Sequence, residues 1–240
     1  MIPRTIDNPR EVVPRAIQHM RVNCDRNLPW LVGGQAHQGE FVIVGGSPSV
    51  LHRMDPIKMR ARGGHTIVAL NGANMCLRAY GIQPDIVVFV DGSEAVAGFI
   101  PDGDEPDDAA YLVSSTCHPS VFEKLETQRR EVHVWHPEMP GDQGEEAKGV
   151  LALYPERPTV LIGGGCTGAL RALSIGWVLG YRSFHMYGVD SSYPRGGADH
   201  AYTKHDGPEP APMTVAFEGK PYCCSPWMIQ QAEDFETFAP

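Results

Sequence analysis

Apolar residues in this chain fall in short unbroken runs set apart by polar, glycine-rich stretches. The runs are Phe41–Val44, His65–Leu70, Asp85–Val90, Tyr111–Ser115, Glu131–Trp135, Thr159–Ile162 and Ser183–Tyr187. Such runs, without polar alternation, predict strands buried on both faces, as in parallel sheets. Helical segments are predicted between them: Glu11–Asn23, one opening at Ser49, Asn74–Tyr80, His118–Leu125 and a long one from Ala169 to Gly180. The last of these is apolar nearly all round, which predicts a buried helix. Residues 137–158 read as a long polar loop with some helix, and Met213–Cys224 as a hairpin about Glu218-Gly219-Lys220. Ser225-Pro226 has the cap-then-proline form of a helix start. The expected fold is α/β, a Rossmann-like three-layer sandwich with a mostly parallel sheet. It would form one nucleotide-binding domain over 37–240, preceded by a lead-in segment over 1–36.

In such sheets ligands bind beyond the carboxyl ends of the strands. The distinctive polar residues all sit at those ends. Gly45-Gly46-Ser47 and Ser49 follow the first run, and Asn71-Gly72 the second. Asp91 follows the third, Ser114–Thr116 the fourth, Gly163–Gly168 the sixth, and Asp190 with Ser191, Ser192 and Tyr193 the last. Glycines let backbone N–H groups approach a phosphate, and a helix N-terminus adds partial positive charge. Gly164, Gly165 and Thr167 stand before the apolar helix in that way. Each motif also has a plainer reading as a turn or cap. The first loop lacks both G-x-G-x-x-G and the Gly-Lys-Ser/Thr ending, which argues against common dehydrogenases and kinases.

Charge narrows the partners. The net charge is −9, which argues against binding duplex nucleic acid through a basic face. It leaves room for a small-molecule nucleotide held by backbone donors. No apolar run is long enough to span a membrane, and the first residues lack a signal-type apolar core. A cytoplasmic protein is expected. The six cysteines, at 24, 76, 117, 166, 223 and 224, show no C-x-x-C pair and read as reduced, mostly buried thiols. A zinc set of His185, His200, His205 and Cys223 has no recognisable ligand spacing. A homo-oligomer is compatible with the sequence, though no feature specifies one.

The segments VIVGGSPSV, IVALNGANMCLRAYGIQPDIVVFVD and GGGCTGALRALSIGWVLGYRSFHMYGVDSSY with the later HAY together resemble the family that groups 6-hydroxymethylpterin diphosphokinases with motility-accessory-factor glycosyltransferases. Similar proteins occur in bacteriophage genomes, and the layout is also similar to bacterial sialyltransferases that use CMP-sugars. The resemblance spans roughly residues 40 to 235 and implies a nucleotide-dependent transferase. Where the diphosphokinases usually carry Asp-Gly-Ala, this chain has Asn71-Gly72-Ala73. It also has fewer carboxylates after the third strand. Both departures lean toward a nucleotide-sugar donor and direct displacement, with no tightly bound cofactor. The alternatives are ATP as co-substrate, with Mg²⁺ at Asp91, and a catalytically silent nucleotide-binding protein. By the resemblance, Asp190, Ser191 and Tyr193 lie near the nucleotide or donor sugar. His200, ahead of His205, is the expected general base, with Asp190 and Asp91 as the other catalytic candidates. Arg171, Arg182, Arg195 and Lys204 are candidate phosphate partners. The acceptor is not specified.

Overall fold

The computed structural model describes residues 9–103, 107–194, 201 and 212–238. The apolar runs become β1 Glu40–Val44, β2 Thr66–Leu70, β3 Ile86–Phe89, β4 Ala110–Ser114, β5 Glu131–Pro137, β6 Leu161–Ile162 and β7 Ser183–Tyr187. All seven form one sheet in the order β6-β5-β4-β3-β2-β1-β7, and every pairing is parallel. The helices are α1 Pro9–Cys24, α2 Met54–Arg62, α3 Ala73–Ala79, α4 Pro119–Thr127, α5 Gly141–Leu151, α6 Gly168–Val178 and α7 Pro226–Phe238. An antiparallel hairpin, β8 Met213–Phe217 and β9 Lys220–Cys224, turns at Glu218-Gly219, both with positive φ. That pair of left-handed residues suits a tight two-residue hairpin turn.

Topology decides which face each helix covers. From β1 to β6 the strand order advances one way, and right-handed crossovers then place every connection on one face. α2, α3, α4 and α5 lie there with α1, and Ile57, Leu77, Phe122 and Val150 share one buried cluster with Val42, Val87 and Val134 of the strands. The step from β6 back to β7 reverses direction, so α6 crosses the opposite face. Its Ala169, Ala172 and Ile175 pack on Phe41, Ile43, Val68 and Trp135. The Rossmann-like α/β sandwich is therefore as expected.

Two local expectations change and one is sharpened. The stretch after Ser49 begins as a 3₁₀ turn over Pro48–Arg53 and becomes α-helical only at Met54, so the first glycine loop does not lead into an α-helix. The segment 137–158 contains the eleven-residue α5. Its low apolar content hid a stripe of Ala147, Val150 and Leu151 that buries beside α1. α6 is not buried all round: Trp177 is 57% exposed, with the Arg182 guanidinium stacked 3.8 Å above its ring. The helix predicted over Glu11–Asn23 forms as α1, and its Ile17, Met20 and Cys24 belong to the core. No described helix is long and apolar enough to cross a membrane. The six cysteines are unpaired, and four of them are buried.

Candidate functional site

Because the strands are parallel, every carboxyl end lies along the same edge of the sheet. The loops after β1, β2, β3, β4, β6 and β7 bring the predicted site residues to that edge. They divide into two groups.

The first group lies where β1 and β7 adjoin. The chain leaves β1 toward one face and enters β7 from the other, the topological position at which α/β sheets open a crevice. Here two glycines let the loops touch. A Cβ on Gly45 would come within 2.4 Å of the Gly188 carbonyl oxygen, and one on Gly188 within 2.6 Å of the Gly45 carbonyl oxygen. Gly188 also has φ of 65°. Gly45 therefore serves loop-to-loop contact, and Gly46 offers its carbonyl to Ala201 N–H at 2.8 Å. Hydrogen bonds complete the seam. Ser49 Oγ donates to Asp190 Oδ1 at 2.5 Å, and Ser47 Oγ accepts from the Asp190 N–H at 3.3 Å. Beyond them, Ser191 Oγ accepts from Gln231 of α7 at 2.6 Å, and the Tyr193 hydroxyl pairs with Ser225. The Ser191 and Tyr193 hydroxyls thus face partners within the chain. α7 and the hairpin roof a cleft of about 840 Å³ over this seam. Its body is apolar, with Met186, Val189 and Ile229, and its polar wall is Ser49, Arg53, Asp190 and Ser192.

The second group spans the ends of β2 to β6. Asn71 holds a left-handed backbone, φ 44°, and its Oδ1 accepts from Val90 N–H at 3.3 Å. Asp91 is exposed and accepts from Ser93 N–H at 2.8 Å in a local turn. A cavity of about 240 Å³ opens beside them, lined by Ala16, Ser114, Thr116, Glu138, Thr167 and Arg171 among others. The Ser114 and Thr116 hydroxyls bond each other at 2.8 Å, whereas Thr167 Oγ1 is buried with no partner among the described residues. Arg171 is anchored by the Ile162 and Glu138 carbonyls.

The glycine loop before α6 already holds an anion. Asp234, on α7, accepts from the Cys166 N–H at 3.0 Å. Its Oδ2 lies 2.6 Å from where a Gly165 Cβ would stand, and Gly165 has φ of 72°. A helix N-terminus favours negative charge, and here a carboxylate of the same chain supplies it. Partial desolvation of the sulfur and that same carboxylate push the Cys166 thiol up to about 12. Cys166 is therefore a protonated thiol at neutral pH, consistent with no nucleophilic role.

With this edge in view, comparison with known proteins is informative. The model of a family described as 6-hydroxymethylpterin diphosphokinase MptE-like matches residues 16–196. The chain belongs to this MptE-like family. Among solved structures, a MAf glycosyltransferase from Magnetospirillum magneticum AMB-1 superposes with a TM-score of 0.62 at 17% identity. That match covers 95% of this chain and 35% of the glycosyltransferase, so the chain spans about a third of that protein's length. Likeness at this identity speaks for the fold. No curated protein sequence matches.

For an MptE-like chain, the placement of the remaining candidates is instructive. His200, His205, Arg195 and Lys204 lie outside the described residues. Arg182 is spent on Trp177 and two carbonyls. Among the described residues no three His, Cys, Asp or Glu side chains group to hold a metal ion. Sequence reasoning missed Asp234 and the pair His19 and His118. Asp234 carries no local signal, since its partner is 68 residues away. His19 was legible only as a polar residue flanking the apolar stripe of α1.

Proposed function

We propose that this protein is a nucleotide-dependent transferase that takes a nucleotide-sugar donor, of CMP-sugar type, at the carboxyl edge of the sheet. The observation that carries the reading is that Ser47, Ser49 and Asp190 at the crevice between β1 and β7, and Asn71, Asp91 and Thr167 further along, all stand on one edge of the sheet. Membership of a diphosphokinase-like family and the fold shared with a glycosyltransferase both support a transferase. The groups at this edge are hydroxyls and isolated carboxylates. These suit ribose and phosphate recognition, and donors aimed at a leaving phosphate stabilise it as charge develops. Asp190 is an exposed carboxylate fixed by Ser49, placed to accept hydrogen bonds from donor hydroxyls.

Family membership favours a second reading, transfer of diphosphate from ATP to a hydroxymethyl group. Magnesium would then rest on Asp91 and on the nucleotide's own phosphates, since no metal-binding cluster of side chains stands at Asp91 among the described residues. Thermal-shift measurements against CMP, CMP-sialic acid, UDP-sugars and ATP, each with and without Mg²⁺, separate the two. Stabilisation by CMP compounds without metal is expected. Stabilisation by ATP alone, and only with Mg²⁺, overturns the first reading in favour of the second. Nucleotide binding with no hydrolysis of any donor points to a silent binding protein. In Asp91→Ala the stabilisation shrinks if the strand-end map is right, and an unchanged shift refutes that map.

A further inference from the structure

Helix α1 comes from outside the strand-end loops, yet it reaches their edge. Ala16 lines the smaller cavity. His19, one turn later on the same face, places Nδ1 3.3 Å from the Thr116 carbonyl oxygen. Thr116 lines that same cavity. The His19 ring also abuts the turn after β3, with Nδ1 4.0 Å from where a Gly92 Cβ would stand. Gly92 directly follows Asp91. His118 meets the ring edge to face, with centroids 5.0 Å apart.

Hydrogen bonding sets the tautomers. A carbonyl only accepts, so His19 Nδ1 carries the proton and Nε2 presents a lone pair. His118 Nδ1 accepts from the Ser120 N–H at 3.3 Å, which leaves the proton of its neutral ring on Nε2. The corner at the ends of β3 and β4 thus offers one imidazole acceptor, one imidazole donor and the Asp91 carboxylate.

We propose that His19 is the proton acceptor of the transferase site, taking the proton from the attacking hydroxyl at its Nε2. This rests on the transferase reading above. In the step, the acceptor oxygen bonds to the donor's anomeric carbon and its proton passes to His19 Nε2. The carbon–oxygen bond to phosphate breaks, and the leaving phosphate keeps the electron pair. Water takes the acceptor's place in slow donor hydrolysis. Burial, helped by His118 and Arg15, holds the His19 pKa below the usual imidazole value despite the bond to Thr116. The ring is then neutral and able to accept a proton at neutral pH. The groups around it are Arg15 on its own helix, His118 at the start of α4, the buried Cys117 thiol before that helix, and Asp91 after β3.

The test is the pH–rate profile of CMP-sialic acid and UDP-N-acetylglucosamine hydrolysis by wild type, His19→Gln and His118→Gln, with CMP thermal shifts measured alongside. In His19→Gln, kcat falls by about 10²-fold or more, KM and the CMP shift hold, and the acid limb of the profile disappears. In His118→Gln the acid limb moves to higher pH, because a neighbour that disfavours the His19 cation is gone. Should His19→Gln keep kcat within about twofold, or keep the wild-type acid limb, His19 is not the base, while the transferase reading survives. A raised KM with an unchanged profile likewise reduces His19 to a packing residue. If no nucleotide stabilises the wild type and no donor is hydrolysed, the transferase reading falls and this assignment with it. NMR of labelled imidazoles supplies a readout free of turnover: Nδ1 is protonated in His19, and CMP perturbs its resonances. A His19 protonated at Nε2 overturns the proposal.

Discussion

His136 offers a direct test of the packing on the α1 side of the sheet. Its residue is 1% exposed, and its ring stands edge-on to Trp30 with centroids 4.3 Å apart. Neither ring nitrogen has a hydrogen-bond partner among the described residues. Burial, and then the Arg157 guanidinium, push its pKa down to about 4. The folded protein therefore refuses a proton that the unfolded chain accepts near 6.5. The linkage sign follows: the neutral ring's contribution is fully present above pH 6.5, is lost as pH falls toward 4, and is flat below that. A depression of about 2.5 units corresponds to about 3 kcal/mol at 1.36 kcal/mol per unit. Against a typical total stability of about 5–15 kcal/mol, this is a large fraction. Phenylalanine keeps an aromatic ring against Trp30 and cannot titrate. Urea unfolding of wild type and His136→Phe at closely spaced pH values between 7.5 and 4 measures the difference, with slopes compared rather than absolute stabilities. Wild type loses about 3 kcal/mol more than the variant over that interval. Parallel losses in the two proteins refute a buried neutral imidazole at this position.

Two further outcomes concern the carboxyl edge. Gly45→Ala drives a Cβ into the Gly188 carbonyl and costs about 1–3 kcal/mol by overpacking, seen as a lower urea midpoint at constant m-value. A variant as stable as wild type contradicts the close approach. Asp234→Asn removes the charge beside Cys166 and lowers that thiol's pKa from about 12, so peptide-resolved iodoacetamide labelling of Cys166 at pH 8.5 speeds up while labelling of the exposed Cys223 does not change. Equal labelling of Cys166 before and after the substitution refutes the carboxylate contact.

The fold was largely legible because its strands are continuous apolar runs, which only a doubly covered sheet can bury. Phe41–Val44 and Thr66–Leu70 needed no tertiary information to be placed. α5 was harder, since its apolar stripe is thin and becomes helical by packing on α1. The strand-end residues were found because parallel topology puts all their loops on one side. Their partners were not visible. Ser49 and Asp190 lie 141 residues apart, and the α6 loop is completed by a carboxylate from α7. A polar stretch also concealed an anchor: the Asp107 side chain is only 3% exposed and is bonded to Tyr111 and Arg78. Local pattern reports which residues are available for chemistry, whereas pairing depends on how distant segments meet.

The seam between Gly45 and Gly188 bears on the order in which the molecule assembles. During synthesis the β1 loop emerges early, but the backbone that seats it belongs to β7. The whole β2-to-β6 portion can adopt its sheet and helices while that loop still lacks its neighbour. Contacts of such long sequence separation form late and slowly. The nucleotide affinity proposed above would then arise only once the far strand has docked at the sheet's edge, and binding of CMP to ribosome-bound chains of increasing length would time that final event.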